Sequence, residues 1–151
     1  MATSNLLVLY TGGTIGMQMS EAGLAPASGF EARMRAQQAE EAQGELPHWQ
    51  FRELLPLIDS ANMNTGHWLA LRDEIVTAVQ TDGHDAVLVL HGTDTLAYSA
   101  AALSFLLLGL DAPVVLTGAM QPAGVAGGDA WPNLFGAMRA LYRGVAPGVH
   151  L

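Results

Sequence analysis

Hydrophobic positions along this chain fall into short unbroken runs, and polar loops or helically spaced segments fill the intervals between them. Leu6-Leu7-Val8-Leu9-Tyr10, Ala86 to Leu90 and Pro113 to Thr117 show no alternation, the pattern of strands covered on both faces of a parallel sheet. Phe51 to Leu57 reads as a further strand, and Val149 as the start of another. Trp68, Leu71, Ile75 and Val79 recur every three to four residues behind Asn64 and Thr65, which suits an amphipathic helix that closes at Asp82-Gly83. Leu96 to Leu108 predicts a helix ended by Gly109, and Asn133 to Tyr142 one with Pro132 in its first turn. The stretch from Met17 to Pro47 is polar and alanine-rich. A short helix over Glu31 to Gln43 is expected there, with little to bury, so the segment reads as a mobile cover.

Strands alternating with helices predict an α/β fold, a doubly wound and mostly parallel sheet with helices on both faces, formed as a single domain. Such sheets bind ligands beyond the carboxyl ends of their strands. Two of the predicted strands run at that end into loops rich in small polar residues: Thr11-Gly12-Gly13-Thr14-Ile15-Gly16 after the first, and His91-Gly92-Thr93-Asp94-Thr95 after the second.

Composition narrows the function. The 151 residues carry six basic and fourteen acidic side chains, a formal net charge of -8, with no basic stripe, so nucleic acid is not an expected partner. Cysteine is absent, which removes disulfides and thiolate metal sites and is compatible with a cytoplasmic location. The apolar run after Met1-Ala2-Thr3-Ser4-Asn5 is too short for a signal-peptide core. Ala100 to Leu108, the longest apolar stretch, is about half of the ~20 residues a membrane span needs, so no membrane association is expected. The five histidines show neither close helical pairing nor an HExxH pattern, and no metal site is expected. Nor do the glycines form a dinucleotide fingerprint or a phosphate-binding loop. His91 reads as a ring bonded to backbone at a strand end, and Trp68, Leu71 and Ile75 as core.

Thr14 and Thr93 place two hydroxyls at one sheet edge, with Asp94 beside the second. A threonine hydroxyl attacks a carbonyl only when a neighbour takes its proton and amide donors receive the developing charge. Gly12, Gly13 and Gly92 are placed to expose such amides. Threonines beside glycines also serve turns alone, so the loops leave both readings open.

Taken together, Tyr10-Thr11-Gly12-Gly13-Thr14-Ile15-Gly16-Met17 and His91-Gly92-Thr93-Asp94-Thr95 resemble the two signature segments of the bacterial L-asparaginase family. Asp59-Ser60, Leu116-Thr117-Gly118-Ala119-Met120 and Asp129-Ala130-Trp131-Pro132-Asn133-Leu134 resemble it too, and the likeness is greatest to the cytoplasmic type I branch. The resemblance implies hydrolysis of L-asparagine to L-aspartate and ammonia without metal or cofactor, with L-glutamine a weaker substrate. Thr14 would be the nucleophile, and Thr93 and Asp94 the second catalytic group, Asp94 lying near the substrate amino group. Asp59 and Ser60 would hold the substrate carboxylate, with Gly13 and Gly92 supplying backbone donors.

Two departures stand out. Leu24 occupies the place of a tyrosine that helps activate the nucleophile in the family; another hydroxyl such as Ser28 would have to substitute, or activity would be low. The chain has no lysine, whereas relatives complete a Thr-Lys-Asp group with one. Family members are longer, with a smaller second domain that reaches a neighbouring subunit's site in a tetramer of paired dimers. The expectation is therefore an incomplete amino-terminal domain, 1–151, inactive and poorly soluble alone, and a homotetramer or homodimer at full length. The competing readings are a non-catalytic amino-acid-binding module and an amidase that supplies ammonia from glutamine.

Overall fold

The computed structural model describes residues 3–21, 23–25, 27–41 and 44–151. Its centre is a five-stranded parallel sheet made by β1 (Asn5–Gly12), β4 (His48–Ile58), β5 (Ala86–Leu90), β6 (Pro113–Thr117) and β7 (Gly148–His150). A small antiparallel ribbon, β2 (Gln18–Ser20) with β3 (Gly23–Ala25), follows the first loop. The helices are α1 (Phe30–Glu41), α2 (Thr65–Gln80), α3 (Leu96–Leu106) and α4 (Ala130–Arg143).

Side chains that alternate along the strands sort into two cores. Leu6, Val8 and Tyr10 of β1 and Ala86, Leu88 and Leu90 of β5 face α1 and α4, where Phe30, Met34, Leu134, Phe135, Met138 and Leu141 meet them. Leu7, Leu9, Val87 and Val89 point the other way, to Leu71 and Ile75 of α2 and Leu103 and Leu107 at the end of α3. Burial on both sides is why these strands carry no polar alternation. The doubly wound, parallel architecture is as the sequence predicts.

The sheet order is β4-β1-β5-β6-β7. Counting sheet strands only, this is the order 2-1-3-4-5, whose reversal falls between β1 and β5. Chains leaving those two strands turn to opposite faces, and the opening between them is where this class of fold binds ligands.

Several expected boundaries move. β4 begins three residues before Phe51 and buries Trp49, and it tolerates Pro56 because it lies at the sheet edge. α3 ends two residues before Leu108, the chain turning through Gly109 at φ +86°. α4 starts at Ala130, so Pro132 is its third residue; the earlier start escaped the sequence because the Asp129 carboxylate serves the preceding loop and makes no helix cap. α2 starts as predicted, with Asn64 and His67 forming reciprocal capping bonds.

The segment from Met17 to Pro47 requires a correction. It does have something to bury: Phe30 and Met34 are fully enclosed, and Phe30 stacks between Tyr10 and Trp131 with ring centroids 5.4 and 5.6 Å away. Two apolar side chains one turn apart in a polar helix give too weak a periodicity to read. The expected end of this helix at Gln43 lies outside the described residues. Among the described residues, no helix is long and apolar enough to cross a membrane.

Candidate active site

Three loops converge beyond the carboxyl ends of β1, β4 and β5. After β1, Gly12 and Gly13 take φ values of +117° and +85°, conformations that L side chains avoid, and the chain then winds one 3-10 turn over Thr14–Gly16. Gly13 also lies hard against the β5 loop. A methyl group on it would sit 2.6 Å from the Gly92 nitrogen and Cα, so only hydrogen fits there. Gly92 in turn has no room for a Cβ, which would run into the Ser60 side chain. The Thr11 hydroxyl donates to the Leu90 carbonyl at 2.9 Å and closes the two strand ends on each other.

Ser60 ties the β4 loop into this junction. Its Oγ accepts the Asp94 N–H at 3.2 Å, and its carbonyl accepts the Thr95 hydroxyl at 2.8 Å. Ser60 is buried, and its hydroxyl, which accepts here, also carries a proton of its own to donate. Asp59 is exposed and caps the following turn, its carboxylate accepting the Ala61 N–H at 3.1 Å. The sequence-predicted residues thus come together as follows: Gly13, Gly92, Ser60 and Asp94 are in direct contact as a chain of neighbours, Thr14 and Thr93 adjoin them in their loops, and Asp59 flanks Ser60. Thr14 and Thr93 are half-buried and Asp94 is exposed, as groups facing an open crevice should be.

The β6 loop braces this edge. The Asp129 carboxylate accepts the Met120 and Gln121 N–H groups at 2.8 and 3.0 Å, which holds its pKa below the usual aspartate range. Asn133 donates to the Gly118 carbonyl at 3.0 Å, and the Ala123 N–H reaches the Ile15 carbonyl in the Thr14 turn at 3.0 Å. Gly118 packs beside Thr93, whose methyl would lie 3.5 Å from any Cβ added there. These contacts give a structural reason for the Gly118-to-Leu134 segments.

Beneath the Thr14 turn lies an incompletely paired polar group. Arg33 donates to the Gly16 carbonyl at 2.7 Å, while its Nε and the neighbouring Tyr10 hydroxyl are buried and find no hydrogen-bond partner among the described residues. Burial pushes the Tyr10 pKa up to about 12 against the opposing Arg33 charge, so the phenol stays protonated. Leu24, on β3, is half exposed, and Ser28 donates its hydroxyl to Glu53 at 3.0 Å.

His91 is fully buried with Nδ1 2.6 Å from the Gly92 carbonyl, the backbone role expected of it. What the sequence did not disclose is its other contact: Nε2 lies 2.8 Å from Ser99 Oγ, which also receives the Trp68 indole N–H at 2.8 Å. Ser99 is the signal that was available, a polar residue on the buried face of a mostly apolar helix whose other serine, Ser104, is exposed. Trp68 is a correction: unlike Leu71 and Ile75 it is only half-buried and belongs to neither core cluster, and its indole is placed by this bond to Ser99.

A different cleft, lined by Thr3, Ser4, His84, Asp85 and Asp111, opens at the amino ends of the strands. Parallel sheets place their ligands at the opposite edge, where the glycine-bearing loops meet. Among the described residues no group of three or more His, Asp or Glu stands ready to hold a metal.

Comparison with known proteins agrees with this geometry. The family described as "Asparaginase, N-terminal" matches residues 5–151. L-asparaginase 1 of Escherichia coli (strain K12) is 41% identical over 138 residues, covering 91% of this chain and 40% of that protein. A glutamyl-tRNA(Gln) amidotransferase component of Methanopyrus kandleri is 36% identical over 141 residues, covering 88% of this chain and 29% of its own. The crystal structure of L-asparaginase I from Vibrio cholerae superposes with a TM-score of 0.78 at 36% identity, covering 93% of this chain and 41% of that one. The chain thus spans about two fifths of the length of these asparaginases. With both glycine–threonine loops seated at the switch point of the matching fold, this chain belongs to the asparaginase family.

Proposed function

We propose that the protein is an L-asparaginase of the type I branch, that this chain is its amino-terminal domain, and that the crevice between β1 and β5 is its asparagine site. The observation that carries the reading is the seating of Gly13 against Gly92, which brings the Thr14 and Thr93 loops to one point. Ser60, whose hydroxyl can donate as well as accept, is suited to the substrate carboxylate together with Asp59, and exposed Asp94 to the substrate amino group.

In this mechanism Thr14 Oγ1 attacks the side-chain amide carbon while its proton passes to a base at the site. The oxyanion rests on backbone N–H groups of the Gly13 and Gly92 loops. Collapse expels ammonia, which carries away the transferred proton, and leaves an ester on Thr14. Water, positioned beside Thr93, hydrolyses that ester to aspartate and restores the threonine. The chain contains no lysine, so the Thr-Lys-Asp group of relatives needs a residue outside these 151. L-glutamine is a weaker substrate in this reading, the location cytoplasmic, and the assembly a homodimer or homotetramer.

Ammonia release from L-asparagine and L-glutamine by the natural full-length protein, with and without Thr14→Ala, tests it. Thr14→Ala is expected to lower kcat by about a thousandfold or more with the fold intact. Asparagine binding without ammonia release would favour an amino-acid-binding module. Because the relatives include a component of a glutamyl-tRNA(Gln) amidotransferase, a preference for glutamine would favour an ammonia-supplying amidase.

A further inference from the structure

We infer that His91, Ser99 and Trp68 form a one-way hydrogen-bond relay that locks the Gly92–Thr93 peptide, so that the Thr93 N–H faces the crevice; they are positioning residues for the second loop. The relay's direction follows from donor counting. An indole N–H can only donate, so at 2.8 Å Ser99 Oγ must accept from Trp68. The single hydroxyl proton of Ser99 then goes to His91 Nε2, also at 2.8 Å, and that nitrogen must be unprotonated. The ring proton therefore sits on Nδ1 and is donated to the Gly92 carbonyl at 2.6 Å. The other neutral tautomer would press a nitrogen lone pair against that carbonyl oxygen and leave the Ser99 proton without an acceptor. An imidazolium would orphan the same proton, with its charge placed in a fully buried ring.

The consequence is geometric. The ring is buried behind the loop, so the Gly92 carbonyl is drawn inward, toward the protein interior. A trans peptide is planar with its N–H opposed to its C=O, so the same bond turns the Thr93 N–H outward, to the edge where the β1 and β5 loops meet. Holding the carbonyl from a ring that is itself held by α3 and α2 fixes this donor before any substrate arrives, which is the condition for an amide to stabilise developing charge without reorganising. The catalytic part of this inference rests on the asparaginase reading; the relay itself does not.

Two measurements separate them. Nitrogen-15 NMR of the histidine rings in the natural protein reads the tautomer directly: His91 is expected as the Nδ1–H form, and an Nε2–H or doubly protonated ring at neutral pH overturns the relay. Kinetics with L-asparagine read the positioning role. Ser99→Ala is expected to lower kcat by about tenfold to a hundredfold while KM changes little, and Ser99→Thr, which keeps the hydroxyl, to restore most of the loss. Unchanged kcat in Ser99→Ala, or a loss confined to KM, overturns the positioning role. If the unmodified protein releases no ammonia, the asparaginase reading fails instead, and the ring tautomer still decides whether the relay exists.

Discussion

The loop after β1 and the loop after β5 are built from the same few residue types, yet their supports differ. The Thr14 loop is reached through two glycines at positive φ and rests on Arg33 and Tyr10, each of which has a buried polar atom without a partner among the described residues. The Thr93 loop is anchored from behind by His91, and the polar side-chain atoms of the His91–Ser99–Trp68 relay are all paired. One loop combines glycine-only backbone with incomplete support. The other is a fixed wall. The difference puts the unpaired polar atoms behind the proposed nucleophile and the fully paired ones behind the loop proposed to receive the substrate.

Adding a single methyl to the first loop should break the comparison most severely. Gly13→Ala forces an L side chain into φ +85°, ψ 171°, a region essentially reserved for glycine, and drives its Cβ to 2.6 Å from the Gly92 backbone. The strained backbone alone costs about 1–3 kcal/mol and overpacking a similar amount, so a loss of about 3 kcal/mol or more is expected in urea unfolding. Activity should fall with it, because relief of the contact separates the two loops. A variant with unaltered stability would show that the close approach is not maintained in solution.

Removing one hydroxyl from each support sharpens the contrast. Ser99→Ala removes the partner of the fully buried His91 Nε2 and of the half-buried Trp68 N–H and should destabilise by about 1–3 kcal/mol. Tyr10→Phe removes a buried hydroxyl that already lacks a partner, so it should be neutral or stabilise by up to about 1 kcal/mol. The two variants delete the same atom from equally enclosed residues, and chemical denaturation of both, side by side, measures the difference in support. Equal losses would mean that Tyr10 does have a partner, such as an ordered water beneath Gly16.

The sequence exposed the two glycine–threonine loops because glycine beside threonine after an apolar run is a local signal, and the central strands β1, β5 and β6 declared themselves because burial on both faces leaves them almost no polar positions. Ser60 and Asp59 came from the family likeness more than from chemistry, since nothing local says that a turn after an edge strand will reach a loop more than thirty residues onward. The relay was illegible for the same reason. Trp68 and Ser99 sit on different helices, and the sequence offers no register between α2 and α3. Helix α1 failed in a different way: its contribution to the core is two side chains, and their surroundings, not their spacing, bury them.

The smallest expected effect follows from the ring at the centre of the fixed wall. Burial is the main cause that lowers the pKa of His91 below the ordinary histidine value of 6.5, and its bond to the Gly92 carbonyl opposes this only in part. The unfolded chain therefore binds a proton at a higher pH than the native one. The sign follows: the stability gained from keeping this ring neutral is fully present above pH 6.5 and is lost as the pH falls through 6.5 toward the native value. His84, also lowered chiefly by burial, adds a loss of the same sign, so the wild-type slope alone assigns nothing. His91→Asn keeps an amide donor for the Gly92 carbonyl and removes the titration, leaving His84 in place. Comparing unfolding free energies of the two proteins between pH 7.5 and 5.5 should show a shallower decline in the variant, by at most about 1.4 kcal/mol per pH unit for a single proton. Parallel curves would mean that His91 titrates alike in the native and unfolded states, and the ring could not then be the neutral, buried donor that holds the second loop in place.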